Sequence, residues 1–481
     1  NFALLVCRGQ TEASGMQHQL GRLGIPAEVA RPPRHARTES CGWAVRIEAR
    51  QTGEALARLR VLGIVPCRIE YEGEEDELLD NAATTLVKPR AVGEAVHRAL
   101  TGAAGYARGG YAAAQRAGDL VYDCREQAAA LFGLYDPSRV VFTQNATHAL
   151  NIAIHALARP GMKTAVSGFE HNAVMRPLAL HGIAPAVLHT PLWQPERMVQ
   201  EVRRALGEGT ELFILNHVSN VFGAVCPLDE IGRLLSAAGV PLILDASQSA
   251  GVLELDVSRL PCLAAVCMPG HKALYGPMGT GLLLALDDRL ASRPLMAGGT
   301  GSLSESMNQP DFLPDAQESG TPNVPGIAGL AAGIRFVRSV GAANIAVHER
   351  KLVRELARAL ETNERLEVFS HPSQTGVLSV RVKGVPAEQA AAQLADAGIA
   401  VRAGLHCAPL AHRTAGTEET GTVRLSFSFY STPGQAEQAA EGRERASQEL
   451  RQQKDERERA RQHEADARDG LHAASSGAVP E

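Results

Sequence analysis

The sequence predicts an α/β fold: a large, mostly parallel sheet flanked by helices, a smaller α+β domain after it, and a small ferredoxin-like α+β module ahead of both. Three observations carry this expectation. Residues 1–72 read in the order βαββαβ, strands and helices then alternate from Asp80 to about Pro325, and beyond Pro325 the pattern changes to long helices followed by strands. The chain has 481 residues, 45% of them hydrophobic, which suffices for more than one core. The expected division is 1–72, 78–325 and 326–432, with 433–481 as a charged tail.

Each element follows from its local pattern. FALLVC reads as a strand, Thr11 to Leu23 as an amphipathic helix, and PAEVA as a second strand. WAVRIEA, GEALARLRVLG and CRIEY supply the third strand, second helix and fourth strand. A turn-rich acidic stretch, EGEEDELLD, ends the module. Beyond it, TAVSGF, ELFILNHV and PLILDA are apolar runs of strand length, separated by helical patterns near Pro195–Leu206 and Pro227–Ala238; such runs suit strands buried on both faces. After Pro325 come two helices, then GVLSVRVKG and TVRLSFSF around a further helix. From Thr432 onward Glu, Arg, Gln and Ala dominate, which predicts a solvated, frayed helix or disorder.

Composition excludes several function classes. Lys and Arg number 48 against 53 Asp and Glu, a net charge of −5, so no basic surplus suits nucleic acid. Apolar runs such as GLLLAL fall well short of the roughly 18–20 residues that span a bilayer. NFALLVC lacks the basic start and length of a signal peptide, so the expected location is the cytoplasm. Eight cysteines without a C-x-x-C pair suit neither a disulfide scaffold nor structural zinc, and no metal site is expected.

Four segments bear chemistry. CMPGHKALYGPMGTG holds Lys272 after a strand and before a glycine-dense turn, where backbone approaches a ligand closely. LILDASQSAG sets Asp245 at the end of an apolar strand and Gln248 three positions on; a buried carboxylate there needs a cationic partner such as a pyridinium nitrogen. SGFEHNAVMRPL offers His171 for stacking on an aromatic ring, and TQNATHALN places Thr147 at a helix start suited to a phosphate. Taken singly, each has a plainer reading: a solvated lysine, a helix-capping Asp, a hydrogen-bonding His, and a capping Thr. Together they describe a pyridoxal 5'-phosphate site.

Those segments, with DNAATTLVKP, NHVSNVFGAVCPL, ESGTPNVPGIAGL and RAGLHCAPLAH in this order, resemble the cysteine desulfurase and selenocysteine lyase family of class V aminotransferase-fold enzymes. The resemblance runs from about Leu78 to Tyr430. It implies that Lys272 is the Schiff-base lysine, that Asp245 pairs with the ring nitrogen and Gln248 with the ring hydroxyl, and that His171 stacks and shuttles protons. It further implies that Asn220 contacts the cofactor near its hydroxyl, that Ala146, Thr147 and His271 hold the phosphate, and that Thr300 reaches the phosphate of a neighbouring subunit in a homodimer. Arg402 and Arg424 would bind the substrate carboxylate. Cys407 matches the persulfide-forming cysteine, with His406 and Arg402 expected to favour its thiolate. One departure stands out: Pro269 replaces a serine or threonine whose hydroxyl contacts phosphate.

The implied reaction removes the α-proton of L-cysteine by Lys272 and transfers sulfur to Cys407, leaving L-alanine and a persulfide. L-selenocysteine is the alternative substrate, and a non-catalytic sulfur or selenium carrier scaffold is the alternative of another class. Residues 1–72 resemble a small selenium/sulfur carrier-like domain in which a Cys-Gly pair recurs. Cys41, before Gly42 and after the basic stretch RPPRHAR, is therefore the expected sulfur acceptor within the chain, with an acceptor protein as a further partner. Cys7 and Cys67, in or beside strands, are expected to be structural.

Overall fold

A computed structural model describes residues 2–31, 43–48, 51–72, 77–107 and 109–440, and the chain divides into two units, Asn1–Glu77 and Leu78–Glu481. In the first unit β1 (Phe2–Cys7), α1 (Gln10–Arg22), β2 (Ala27–Ala30), β3 (Trp43–Glu48), α2 (Thr52–Val61) and β4 (Arg68–Glu72) follow the βαββαβ order. The strands form one antiparallel sheet, β2-β3-β1-β4. Alternation along β1 sends Ala3, Leu5 and Cys7 to a core with Met16, Leu20 and Leu59 of the two helices, and Leu4 and Val6 to the other face with Ala44. A central strand apolar on both faces reads as the unbroken run FALLVC.

After β5 (Glu77–Leu78), whose last residue begins the second unit, come α3 (Arg90–Gly102) and α4 (Ala112–Leu131). Next come β6 (Val140–Thr143), α5 (Ala146–Leu157), β7 (Thr164–Ser167), α6 (Asn172–Leu180), β8 (Ala186–Leu188), α7 (Pro195–Gly207), β9 (Leu212–Asn216), α8 (Leu228–Ala238) and β10 (Leu242–Asp245). β11 (Leu263–Pro269), β12 (Gly281–Ala285) and α9 (Arg289–Ser292) complete the large domain's alternation. Seven strands lie in the order β6-β12-β11-β10-β9-β7-β8, and β12 alone runs against the others. Every residue of β7, β9, β10, β11 and β12 is buried, because helices cover both faces. Leu215, Leu244 and Val266 pack with Val121, Val202 and Leu235 on one side, and Ile214, Ile243 and Cys267 with Leu150, Ile154 and Val174 on the other.

The remainder comprises α10 (Val324–Val340), α11 (Ala342–Glu361), β13 (Leu366–Phe369), β14 (Val377–Val382), α12 (Ala387–Asp396), β15 (Ile399–Ala400), β16 (Arg402–Gly404), α13 (Pro409–Ala415) and β17 (Thr422–Ser426). A four-stranded sheet, β13-β14-β17-β16, carries the second core, and β15 pairs with β5. α10, placed by sequence at the head of the small domain, packs into the large one: Ile327, Leu330 and Ile334 join its core, and Ala328 and Ala332 meet Val92, Ala95 and Ala99 of α3. A Cβ at Gly333 would lie 2.2 Å from the Leu274 carbonyl oxygen, so glycine lets α10 seat against the turn that follows Lys272. Conversely, Leu79 lies in the small domain's core with Leu352, Leu378 and Leu425.

The expectation of a solvated tail from residue 433 needs correction at its start. Residues 433–440 are helical, and Ala436 and Ala439 are buried in the small-domain core. Methyl side chains allow close seating where no large apolar stripe exists. Residues 441–481 lie outside the described residues. No single helix among the described residues is long and apolar enough to cross a membrane.

Candidate active site

The parallel strands end their carboxyl edges together, and the chemistry collects there. β10 delivers Asp245, which is 3% exposed; its Oδ1 accepts from the Ser247 N–H at 2.9 Å and from the Ser247 hydroxyl. β11 ends at Pro269, paired with Gly281, and the chain then turns through Gly270, His271 and Lys272. That turn is tied down closely. Gly270 N–H donates to Thr280 O at 2.8 Å and Gly276 N–H to Gly270 O at 2.7 Å, while the His271 carbonyl accepts from Lys88 Nζ at 2.8 Å and Thr85 Oγ1 at 3.1 Å.

Lys272 is thereby held as a buried amine. Burial, with Arg424 and Arg402 nearby, lowers its pKa to about 8 despite the opposing pull of Asp245 and Asp80. An amine that is partly neutral near physiological pH is a competent nucleophile and base. His171 caps α6, with Nδ1 accepting the Ala173 N–H at 3.0 Å. In the neutral ring the proton must then sit on Nε2; burial favours this neutral form, against the pull of Asp245. His171, Asp245, Lys272 and Arg402 thus share one electrostatic neighbourhood.

α5 begins at a capped helix start. Asn145 caps it, its Oδ1 accepting from His148 N–H at 2.9 Å, and the first helical residues are Ala146 and exposed Thr147. Helix-start N–H groups and the helix dipole favour a phosphate there. Gln248 donates to Ala82 O at 2.9 Å. Asn220 donates to His406 O at 2.9 Å, leaving its buried Oδ1 without a partner, as are His271 Nδ1 and Arg424 Nε. Burial pushes His271 down to about 4, so the ring is neutral. Buried unpartnered polar atoms are costly in isolation. A buried acid, a partly neutral lysine, a capped helix start and these orphaned atoms fit pyridoxal phosphate.

The small domain contributes two arginines and Cys407. Arg424 on β17 is 1% exposed; Nη1 donates to Asn220 O at 3.0 Å and Nη2 to the Asp80 carboxylate, so two of its nitrogens are engaged within the protein. Arg402 on β16 reaches Cys407 Sγ with Nη2 at 3.7 Å. Cys407 is exposed, and its carbonyl accepts the Asn172 N–H at 2.8 Å, next to His171. His406 and Cys407 both lie in the left-handed region, φ 49° and 56°, a costly conformation for non-glycine residues that gathers at functional sites.

One sequence expectation changes here. His406 does not supply positive charge to the thiol: its Nε2 bonds to Thr422 O at 3.1 Å, and burial with nearby Arg424 pushes its pKa down to about 2, so it is neutral. Thr300, expected to serve a neighbouring subunit, lines a cavity of about 200 Å³ with Thr143, His148 and Thr280 beside the start of α5. Cys41 lies outside the described residues. Sequence reading also missed Asp80, the partner of Arg424, although it stands in the quoted DNAATT segment; 344 positions separate the two.

The aminotransferase class-V family profile matches residues 77–438. A probable cysteine desulfurase of Methanothermobacter thermautotrophicus is 33% identical over 338 residues, covering 68% of this chain and 83% of that protein. The apo structure of a cysteine desulfurase from Thermococcus onnurineus is similar with a TM-score of 0.69 at 28% identity, over 76% of this chain and 93% of that one. An Escherichia coli cysteine desulfurase in an S-sulfonic acid form matches with the same TM-score and identity, over 78% and 95%. Sequence, fold and comparisons agree that the chain belongs to the aminotransferase class-V family, among its pyridoxal phosphate-dependent cysteine desulfurases.

Proposed function

We propose that this chain removes sulfur from L-cysteine, giving L-alanine and a persulfide on Cys407. The observation that carries the reading is Cys407 itself, exposed on a left-handed turn with the Arg402 guanidinium at its sulfur. When bound, pyridoxal phosphate supplies an electron sink for the carbanion formed at the substrate's Cα. Lys272 anchors the cofactor and takes the α-proton; Asp245 keeps the ring nitrogen protonated; His171, whose Nε2 carries the proton, stacks and donates. Ala146, Thr147 and His271 hold the phosphate, and Gln248 and Asn220 the ring hydroxyl side.

Arg402 and Arg424 orient the substrate carboxylate, and Cys407 attacks the sulfur. The Arg402 guanidinium holds the Cys407 sulfur in place through Nη2 at 3.7 Å. Thr300 serves the second site of a homodimer, and Cys41 in the carrier-like unit is the acceptor to which sulfur passes. A reducing, cytoplasmic setting keeps these thiols available.

The test compares alanine, sulfide and selenide release from L-cysteine and L-selenocysteine by the parent protein and Cys407→Ser. Loss of about 100-fold or more on L-cysteine, as for removal of a covalent nucleophile, is expected. Retention of selenide release alone in the variant confines Cys407 to sulfur. Equal activity of parent and variant on both substrates removes Cys407 from the mechanism.

A further inference from the structure

One buried acid stands beside the site with no part yet in its chemistry. β7 ends at Ser167, and the chain turns through Gly168 and Phe169 to Glu170, the residue before His171. Glu170 is fully buried. Its Oε1 accepts the Ser167 hydroxyl and the Asn216 N–H, the latter at 2.8 Å, while the Ser167 oxygen takes the Phe169 N–H at 3.2 Å. Asn216 closes β9, the strand paired with β7. A single carboxyl oxygen thus fastens the turn that delivers His171 to the end of the neighbouring strand.

The other oxygen has no donor. Glu170 Oε2 is buried and unpartnered, and so is Asn216 Oδ1. Asn216 lies level with Asp245 of β10, whose carbonyl accepts the His217 N–H at 3.0 Å. Asp245 has the stronger claim to a negative charge, since its Oδ1 already accepts both the N–H and the hydroxyl of Ser247. Burial and the Asp245 carboxylate together push Glu170 up to about 8, because two like charges in one dry neighbourhood do not both ionise cheaply. The other titratable groups here carry no charge: burial pushes His217 down to about 4, and burial with Glu170 pushes the Cys226 thiol up. A proton on Glu170 also turns one of two stranded acceptors into a donor.

We propose that Glu170 is a positioning residue that works as a neutral acid, fastening the His171 turn to β9 while leaving Asp245 as the anion for the ring nitrogen. The assignment rests on the reading of this site as one where pyridoxal phosphate is held against Asp245 and His171. It adds a residue whose usefulness lies in keeping its proton.

The test uses the full-length holoenzyme as the parent, Glu170→Gln and Glu170→Ala. Infrared difference spectra of parent against Glu170→Gln at about pH 6.5, below the pKa of about 8, should show the carbonyl stretch of a protonated carboxylic acid, fading as pH rises through 8. Carboxylate bands at the lower pH overturn the proposal. In alanine formation from L-cysteine, Glu170→Gln, which keeps an acceptor and a donor at the two oxygen positions, should stay within about threefold of the parent kcat. Glu170→Ala should lower kcat about 10- to 100-fold, the scale of a misplaced catalytic group, with KM within about twofold.

Equal losses in the two variants overturn the neutral acid, and full activity of Glu170→Ala overturns the positioning role. If the alanine variant fails to fold, the infrared band and the glutamine variant decide. A parent that shows the carboxylic acid band yet forms no alanine from L-cysteine sinks the desulfurase reading and leaves the neutral acid standing. Alanine formation without the band does the reverse.

Discussion

Charge and proton position decide the chemistry of single residues here. Lys272 is the clearest case: its pKa of about 8 means that the neutral amine gains population as pH rises through 8. Capture of pyridoxal phosphate by the apo-protein, followed by absorbance, should therefore accelerate from about pH 6.5 and level off above about 9, whereas an ordinary lysine would climb until about pH 10.4. A rate still rising steeply beyond pH 10 would show that burial does not depress this amine. His171 has two separable roles, cap and ring. Asparagine caps at least as well, so His171→Asn should keep the melting temperature of the parent while lowering kcat by about 100-fold or more, the usual contribution of positioned proton transfer. A fall in melting temperature without a fall in kcat would make His171 a cap only. Motif reading found Lys272, Asp245, His171 and Cys407 because each stands at a strand end or in a short glycine-flanked loop. It misjudged His406 because burial, which strips the ring of its charge, leaves no mark on neighbouring letters.

At the scale of elements, the site depends on where strands stop and helices begin. β10 brings Asp245 level with Asn216 of β9 and Cys267 of β11, and α5 starts where the Asn145 side chain accepts the His148 N–H. Asn145→Ala should cost about 0.5–2 kcal/mol of stability, measured by denaturant unfolding, and should weaken pyridoxal phosphate retention, since the same helix start is offered to the phosphate. Unchanged retention would separate the cap from phosphate binding. Apolar runs and long helices were legible: β7, β9, β10 and β11 sit in unbroken apolar stretches, and α10 and α11 are long enough to show their period. The short elements β13, β16 and α13 escaped, since three to seven residues without an unbroken apolar run hold too few repeats of any period. Yet β16 and the turn before α13 carry Arg402 and Cys407.

For the whole molecule, each unit encloses a core drawn from its own residues: Leu5, Met16, Leu20 and Leu59 in the first, and the sheet and small-domain clusters in the second. A chain beginning at Leu78 should therefore fold, bind pyridoxal phosphate and form alanine from L-cysteine within about twofold of the full protein, since independent cores make domains separable. Failure of this fragment to bind the cofactor would show that the first unit completes the second. The amino-acid order by itself determined the βαββαβ module, the buried parallel strands, and the residue types that require a cofactor and a reactive thiol, because periodicity and strand-end motifs are local properties of a chain. Only the tertiary structure decided that Arg424 is engaged by Asp80, that Arg402 rather than His406 faces the Cys407 sulfur, and that α10 belongs to the large core. Those outcomes depend on which distant segments pair, and on how much water remains around a charge once they have.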